Sequence, residues 1–416
     1  MSVTTTTTTE TETVEHFAAR AAAWYAEQGI ARTGSHLKRS QQGKAVFHDL
    51  SFDDELALLR ELTDWVRTRF DAGLGAVAWP ESFGGAGLTQ AHEAALARIE
   101  SEYDVPSPHE LVSVTRHLIA PTLRVYDRTP QMRELITPML RGDLLACQLF
   151  SEPGAGSDLA SLATRARRDG DDWVITGQKV WTSGAQFAQW GELLARTDPD
   201  VPKHRGITAF MVPLDADGLE VRPLRQMSGG SSFNEVFLSE VRIPDAYRIG
   251  EVGEGWKVAL TTLGFERNSS GENTDVGGTV DQVIELARAT GALEDPVLRQ
   301  QLADVLIAHR LAEIATARDA ATPDTTGVGG SMRKLQWTGR LTQMSDFVTE
   351  ALGAGLVVDD GTPGSFDWTE HVLGAPGYRI AGGSDEVQRT LIAERYLGLP
   401  PEPRGDKTTP WRDIPR

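Results

Sequence analysis

The amino-acid sequence predicts an α+β fold in three parts: helices first, a β domain in the middle, and helices again. Three observations predict it. Residues 14–145 carry apolar side chains at helical spacing. Residues 146–250 change to short β-branched and aromatic runs punctuated by Gly turns, and helical spacing returns over 251–400. Residues 1–13 hold the run Thr4 to Thr9 followed by glutamates; they cannot bury enough surface to order themselves and read as a disordered tail. Residues 401–416 read as a C-terminal tail.

The elements follow in order. Leu59, Leu62 and Val66 form one stripe of a helix over 52–70, with Ser51 as N-cap and Asp53 and Asp54 in the first turn. The Gly/Pro break from Trp79 to Gly87 ends that region, and helix resumes from Thr89. In the β domain, Trp173-Val174-Ile175, Lys179-Val180-Trp181, Ile207 to Val212 and Glu235 to Leu238 read as strands. Asp295-Pro296 then makes a cap with Pro at the first helical position, leading Leu298, Leu302 and Val305 along one face. A further helix runs from about Ser331, with Leu341, Met344, Val348 and Leu352 on a stripe that Gly353 ends. No internal repeat is visible.

Composition removes several function classes. A net charge of −18 argues against a nucleic-acid surface, which needs a basic face. No run of 18 apolar residues predicts a transmembrane helix. The N-terminus has neither a basic start nor a cleavable apolar core, so a cytoplasmic location is expected. With Cys147 as its single cysteine, the chain holds no internal disulfide or CxxC pair, and an apolar surrounding makes it a buried structural thiol. No HExxH, GxSxG or GxxxxGK[ST] pattern occurs, and no metal site is expected.

Two segments carry chemistry. Leu149-Phe150-Ser151-Glu152-Pro153-Gly154-Ala155-Gly156-Ser157-Asp158 sets a Pro/Gly turn with free amides beside two hydroxyls, and Trp181-Thr182-Ser183-Gly184 ends a strand. The glycines at 154 and 156 loosely mimic a dinucleotide fingerprint, but no βαβ unit surrounds them. Together with Gly382-Gly383-Ser384-Asp385-Glu386-Val387-Gln388-Arg389, met in the same order, these segments resemble the acyl-CoA dehydrogenase family.

The resemblance implies an N-terminal helical domain, a middle β domain and a C-terminal four-helix bundle. It also implies FAD as cofactor. Ser151 and Thr182 would hydrogen-bond the isoalloxazine edge, amides near Phe150 and Ser151 would read the pyrimidine end, and Trp181 would stack on the ring. Ser157 would contact the pyrophosphate and the substrate. Gln148, Ser183, Gly353, Ser384 and Glu386 complete the implied cofactor set. Arg288 roughly matches an arginine that reaches the FAD diphosphate across a subunit interface, although Thr290-Gly291-Ala292 replaces the usual phenylalanine nearby. Ser384 also reads as an N-cap with Val387 and Leu391 inward, and Asp385 and Glu386 complement the helix dipole while pointing away from phosphate.

The base departs from the commoner family pattern. Many members carry a glutamate just before the Gly-Thr/Ser of the C-terminal motif; Gly382 stands there and has no side chain. A branch typified by isovaleryl-CoA dehydrogenase instead uses a glutamate before an arginine on the first C-terminal helix, which matches Phe265-Glu266-Arg267. By spacing, Glu266 shares a helical face with Leu263 and Ala259, where desolvation would raise its pKa as a general base requires. Arg267, Gly382 and Gly383 are the implied substrate contacts, and the Gly382 N–H would still hold the thioester carbonyl.

The implied reaction is α,β-dehydrogenation of an acyl-CoA to a trans-2-enoyl-CoA, with electrons leaving to an electron-transfer flavoprotein. The implied assembly is a homodimer or homotetramer. Two alternatives stand: a flavin oxidase, monooxygenase or carrier-protein thioester dehydrogenase on the same fold, and a non-catalytic subunit of a heteromeric dehydrogenase.

Overall fold

The structure is a computed structural model that describes residues 12–32, 43–269, 276–321, 327–359, 361, 364–403 and 405–415, the side chains of 266–269 and 320–321 excepted. Most of the expected N-terminal tail lies outside these residues, but Glu12 and Thr13 belong to the fold. Thr13 accepts from the His16 amide and caps helix α1 (Val14–Glu27), which buries Phe17, Ala21 and Tyr25 on one stripe. Ser51 caps α2 (Phe52–Asp71) by accepting from the Asp54 amide, and Leu59, Leu62 and Val66 are buried as the spacing predicts. Helix α3 (Gln90–Glu100) follows the Thr89 cap.

Helix α4 is interrupted. It begins as Glu110–Ser113, passes through a π-helical turn at Val114–Ile119 and continues as Ala120–Val125. Thr115 in the wide turn fastens it to the sheet: its hydroxyl accepts from the Ala146 amide at 2.8 Å and lies within 2.7 Å of the Leu111 carbonyl. Helix α5 (Pro130–Arg141) stops at Gly142, whose φ of 84° only glycine adopts without strain.

The β domain is one sheet of eight strands. They are β1 (Ala146–Leu149), β2 (Arg165–Asp169), β3 (Asp172–Ser183), β4 (Trp190–Arg196), β5 (Ile207–Pro213), β6 (Leu219–Leu224), β7 (Phe233–Pro244) and β8 (Arg248–Ile249). The order is β6-β7-β3-β2-β4-β5-β8, with β1 pairing in parallel against β4. The two strands expected at 173–175 and 179–181 are a single strand, β3, whose register against β7 shifts between Ile175 and Gly177 and again between Lys179 and Thr182. Gly177 is required there, because a Cβ would sit 2.4 Å from the Thr164 hydroxyl. Strands β1, β2, β4 and β8 carry no clear sequence signal: β2 is Arg-Ala-Arg-Arg-Asp, and β4 is broken by Gly191 and Glu192, whereas β6 alternates Leu219 and Val221 with Glu220 and Arg222, a strand pattern not among those expected. Along β4 the faces alternate. Leu193 and Ala195 fill one core, while Leu194 turns to the other, packed with residues of α4 and α5.

Among the described residues six helices follow: α6 (Gly255–Ser269), α7 (Val280–Ala289), α8 (Pro296–Ala321), α9 (Gly329–Leu352), α10 (Thr369–Tyr378) and α11 (Asp385–Arg395). Asp295 caps α8 by accepting from the Val297 and Leu298 amides. Leu302, Val305, Met344, Phe347, Val348 and Trp368 form the core of this domain. Helix α9 ends at Gly353, as expected. Residues 405–413 then return to the β domain. Trp411 stacks 4.4 Å from the Arg196 guanidinium and donates to the Ser161 carbonyl, Lys203 binds both Asp158 and Asp406, and Pro410 bridges to Pro202. Among the described residues no helix is long and apolar enough to cross a membrane.

Candidate active site

The Pro/Gly turn after β1 is built from inside. The Glu152 and Ala155 amides and carbonyls bond each other reciprocally at 3.0 and 3.1 Å, closing the turn. The Glu152 carboxylate accepts from the Ala163 and Thr164 amides and from the Lys179 ammonium at 2.8 Å. Burial alone would raise its pKa; Lys179 and the two amides hold it below the usual carboxylate range. Lys179 is itself completely buried and also donates to the Phe150 carbonyl. The acidic residue of the motif is therefore a fastener between turn and β3, which leaves Ser151, Gly154, Gly156 and Ser157 to present the outer surface.

The adjoining strand end is bent by the second register shift. Trp181 has a φ of 61°, a left-handed conformation rare for a bulky residue, and its side chain is 62% exposed. Thr182 is only 2% exposed, and its hydroxyl has no hydrogen-bond partner among the described residues. The same is true of the Gln148 amide nitrogen on β1. A planar ring laid on Trp181 with polar atoms at its edge answers this surface: an exposed indole held at strain, flanked by polar groups that seek partners. These residues fit a flavin.

Two features of this wall escape the sequence. Glu110, the first residue of α4, lies beside the Ser183 hydroxyl; it keeps an exposed surface, yet the protein packed around it raises its pKa, against a smaller lowering by Ser183. Behind it, Glu55 bridges His109 at 2.9 Å and His48 at 3.3 Å, and His109 accepts the Leu111 amide that opens α4. Glu55 and His109 are buried and His48 is half-buried; the His48 Nδ1 has no hydrogen-bond partner among the described residues. Neither feature has a local pattern, because the partners come from positions 48, 55, 109, 110 and 183. Cys147 is buried, as expected, and burial pushes its thiol up to about 12.

The C-terminal motif follows Tyr378, which connects to Trp181 through the packed rings of Phe47 and Phe233. Gly382 and Gly383 have φ of 63° and 86°. Lys334 donates to the Ala381 carbonyl at 2.6 Å and also to that of Gly383, while Gln388 donates to the Gly382 and Gly383 carbonyls at 3.0 and 3.2 Å. In a planar trans peptide the N–H points opposite the preceding carbonyl. The amides of Gly382, Gly383 and Ser384 therefore point away from Lys334 and Gln388, as a set of donors suited to an oxyanion. Gly383→Ala is expected to destabilise the protein by about 1–2 kcal/mol, since the residue is left-handed and a Cβ would lie 2.7 Å from the Gln388 nitrogen. Urea denaturation reads this, and an unchanged midpoint would contradict it.

Ser384 caps α11 by accepting from the Val387 amide, as the sequence indicates. The inward face differs from expectation: Asp385 and Gln388 are buried, whereas Val387 and Leu391 are half-buried. Asp385 turns in because it meets Arg379 at 2.9 Å and Thr338 at 3.0 Å. Glu386 is exposed, as are Arg288 near the end of α7 and Gly353. Glu266 and Arg267 lie in α6; their side chains are outside the described residues. Position 266 is one turn beyond Thr262 and two beyond Ala259, both fully buried.

Comparison with known proteins places this geometry. The acyl-CoA dehydrogenase middle domain matches residues 147–241, and the acyl-CoA dehydrogenase C-terminal domain matches residues 253–397. The chain is 37% identical over 400 residues to the acyl-CoA dehydrogenase IpdE1 of Mycobacterium tuberculosis, covering 94% of this chain and 99% of that protein. It is 30% identical over 351 residues to the human mitochondrial short-chain specific acyl-CoA dehydrogenase, covering 78% and 81%. Among solved structures, the Tcur3481-Tcur3483 steroid ACAD superposes with a TM-score of 0.71 at 27% identity, covering 94% of this chain and 98% of that one. The ChsE4-ChsE5 complex from Mycobacterium tuberculosis gives 0.68 at 26%, covering 97% and 100%.

Proposed function

The chain belongs to the acyl-CoA dehydrogenase family of FAD-dependent oxidoreductases, and from that premise we propose that it oxidises the Cα–Cβ bond of a bulky acyl-CoA to the trans-2-enoyl thioester, with Glu266 as the base. The observation that carries this reading is the pair of surfaces. One offers Trp181 with the unpartnered Gln148 amide nitrogen and Thr182 hydroxyl; the other offers the amides of Gly382, Gly383 and Ser384, whose preceding carbonyls are taken by Lys334 and Gln388. Gln148, Phe150, Ser151, Trp181, Thr182 and Ser183 would hold the isoalloxazine, and Ser157 the phosphates. FAD, when bound, supplies the acceptor for the hydride leaving Cβ. Glu266 takes the Cα proton, and the glycine amides take the charge that develops on the thioester oxygen. The lack of a side chain at Gly382 leaves room near the reacting carbons, which supports a branched or ring-bearing acyl group. Relatives named as steroid dehydrogenases agree with that choice.

Assembly is part of the proposal. Ile307, Leu311 and Ile314 expose an apolar stripe along α8, with Val297 and Leu306 beside it. Such a stripe supports an oligomer in which Arg288 and Gly353 reach a neighbouring subunit's FAD. Two relatives are named as two-component assemblies, so a heteromer is the second reading. Electrons would leave to an electron-transfer flavoprotein. The test is anaerobic bleaching of the purified flavoprotein by straight, branched and ring-bearing acyl-CoAs. Bleaching by the ring-bearing thioesters is expected, and a preference for short straight chains would overturn the substrate reading. FAD loading only after addition of a second chain would favour the heteromer, and rapid reoxidation by oxygen would favour an oxidase.

A further inference from the structure

Glu192 lies in the middle of β4, on the face that Leu194 shares, and is fully buried. One carboxyl oxygen is 2.8 Å from the Thr262 hydroxyl of α6; the other has no hydrogen-bond partner among the described residues. The Thr262 hydroxyl also meets the Thr122 hydroxyl of α4 at 3.0 Å and the Val258 carbonyl at 3.3 Å, and Thr122 donates to the Leu118 carbonyl. Across the sheet Glu192 is in register with Gln148 of β1 and Met211 of β5. One carboxyl thus joins the strand beside the flavin wall to the helix that carries position 266.

A proton count decides its state. Each threonine hydroxyl has one proton to give. The Thr122 proton goes to the Leu118 carbonyl, and the Thr262 proton can satisfy either Val258 or Glu192. An ionised Glu192 would keep at most one hydrogen bond and face no cation, which a buried charge does not tolerate. A neutral carboxyl adds a third proton: it can donate to Thr262, whose own proton is then free for either Val258 or Thr122. None of its neighbours, Thr262, Thr122, Gln148 and Met211, is titratable, and burial pushes its pKa up to about 8 against a smaller lowering by Thr262.

We propose that Glu192 is a positioning residue: as a neutral carboxyl it fixes α6 against the flavin-side strands and thereby sets where residue 266 meets the substrate. This rests on the reading of Glu266 as base. The single hydrogen bond of Glu192 is offset by the burial of a second carboxyl oxygen with no partner among the described residues, so stability is a poor explanation for an acid there.

The test compares holoenzymes of the wild type, Glu192→Gln and Glu192→Leu. The Leu variant should fold and keep its FAD and KM, yet lose about 10–100-fold in kcat, the scale of a small misplacement of reacting groups. The Gln variant keeps a neutral donor and should retain kcat at pH 7. Wild-type kcat should fall as pH rises through about 8, and that limb should move up in the Gln variant. A Leu variant with wild-type kcat, or a Gln variant as impaired as Leu, would overturn the proposal. A second readout needs no activity. Because the folded pKa lies above the ordinary 4.5, the wild type should lose Tm relative to Glu192→Gln as pH rises from about 5 to about 8 and run parallel above that. Parallel curves throughout would also overturn it. If Glu266→Gln stays active while the Tm signature holds, it is the base assignment that has failed.

Discussion

Replacing Glu266 by Gln is expected to abolish flavin reduction by substrate while leaving FAD bound. The amide keeps size and hydrogen bonding but cannot accept the Cα proton. General bases contribute about 10²–10⁴-fold, so the rate of anaerobic bleaching should fall by at least the lower figure. FAD content should not change, because the residues proposed for the isoalloxazine come from the β domain and not from α6. Stopped-flow reduction under anaerobic conditions is the measurement. Near-normal reduction by the variant would remove Glu266 from the mechanism, and no acid at Gly382 stands ready to replace it.

Lys179→Met is expected to cost about 3–5 kcal/mol of stability, the scale for removing one partner of a buried ion pair. Methionine fills much of the same volume, so the loss is electrostatic: Glu152 keeps its bonds to the Ala163 and Thr164 amides but loses the ammonium at 2.8 Å, and the Phe150 carbonyl loses its donor. The turn that presents Ser151 and Ser157 should loosen with it, so FAD is expected to dissociate more readily. Urea denaturation gives the first effect and fluorescence of released flavin the second. Adding Glu152→Gln should restore part of the stability, since it removes the stranded charge. A single variant within about 1 kcal/mol of the wild type would show that the turn is held by other means.

How far the sequence discloses this molecule depends on the range of each interaction. Ser51, Asp295 and Gly353 act within their own helix ends, and α2, α8 and α9 start or stop where those residues indicate. Strand β3 was split in expectation because Gly177 interrupts its apolar run; the glycine is there for a close approach to Thr164 across the turn, which no local pattern records. The motifs at 149–158 and 181–184 meet where the Val180 amide donates to the Ser151 carbonyl at 3.0 Å, although their strands β1 and β3 are not paired with each other. Val387 and Leu391 are the inward pair by spacing, but Arg379 and Thr338 draw Asp385 into the buried face instead. Glu110, Glu192 and the Glu55 triad have no local signature, since each needs at least one partner more than fifty residues away.

The return of residues 405–413 to the β domain changes the mechanics of the cleft. A helical domain joined to its neighbour by one linker can swing as a door on a hinge. Here the chain leaves the sheet after Ile249, builds α6 to α11, and is bolted back through Trp411 on Arg196 and Asp406 on Lys203. Two fixings make a frame in place of a hinge. The entropic cost of the closed circuit is modest, because loop closure grows only with the logarithm of length, about 0.6 kcal/mol for each doubling. Opening by rigid rotation would require Trp411 to leave its seat on Arg196, and cutting the chain between 399 and 405 should turn the frame back into a door.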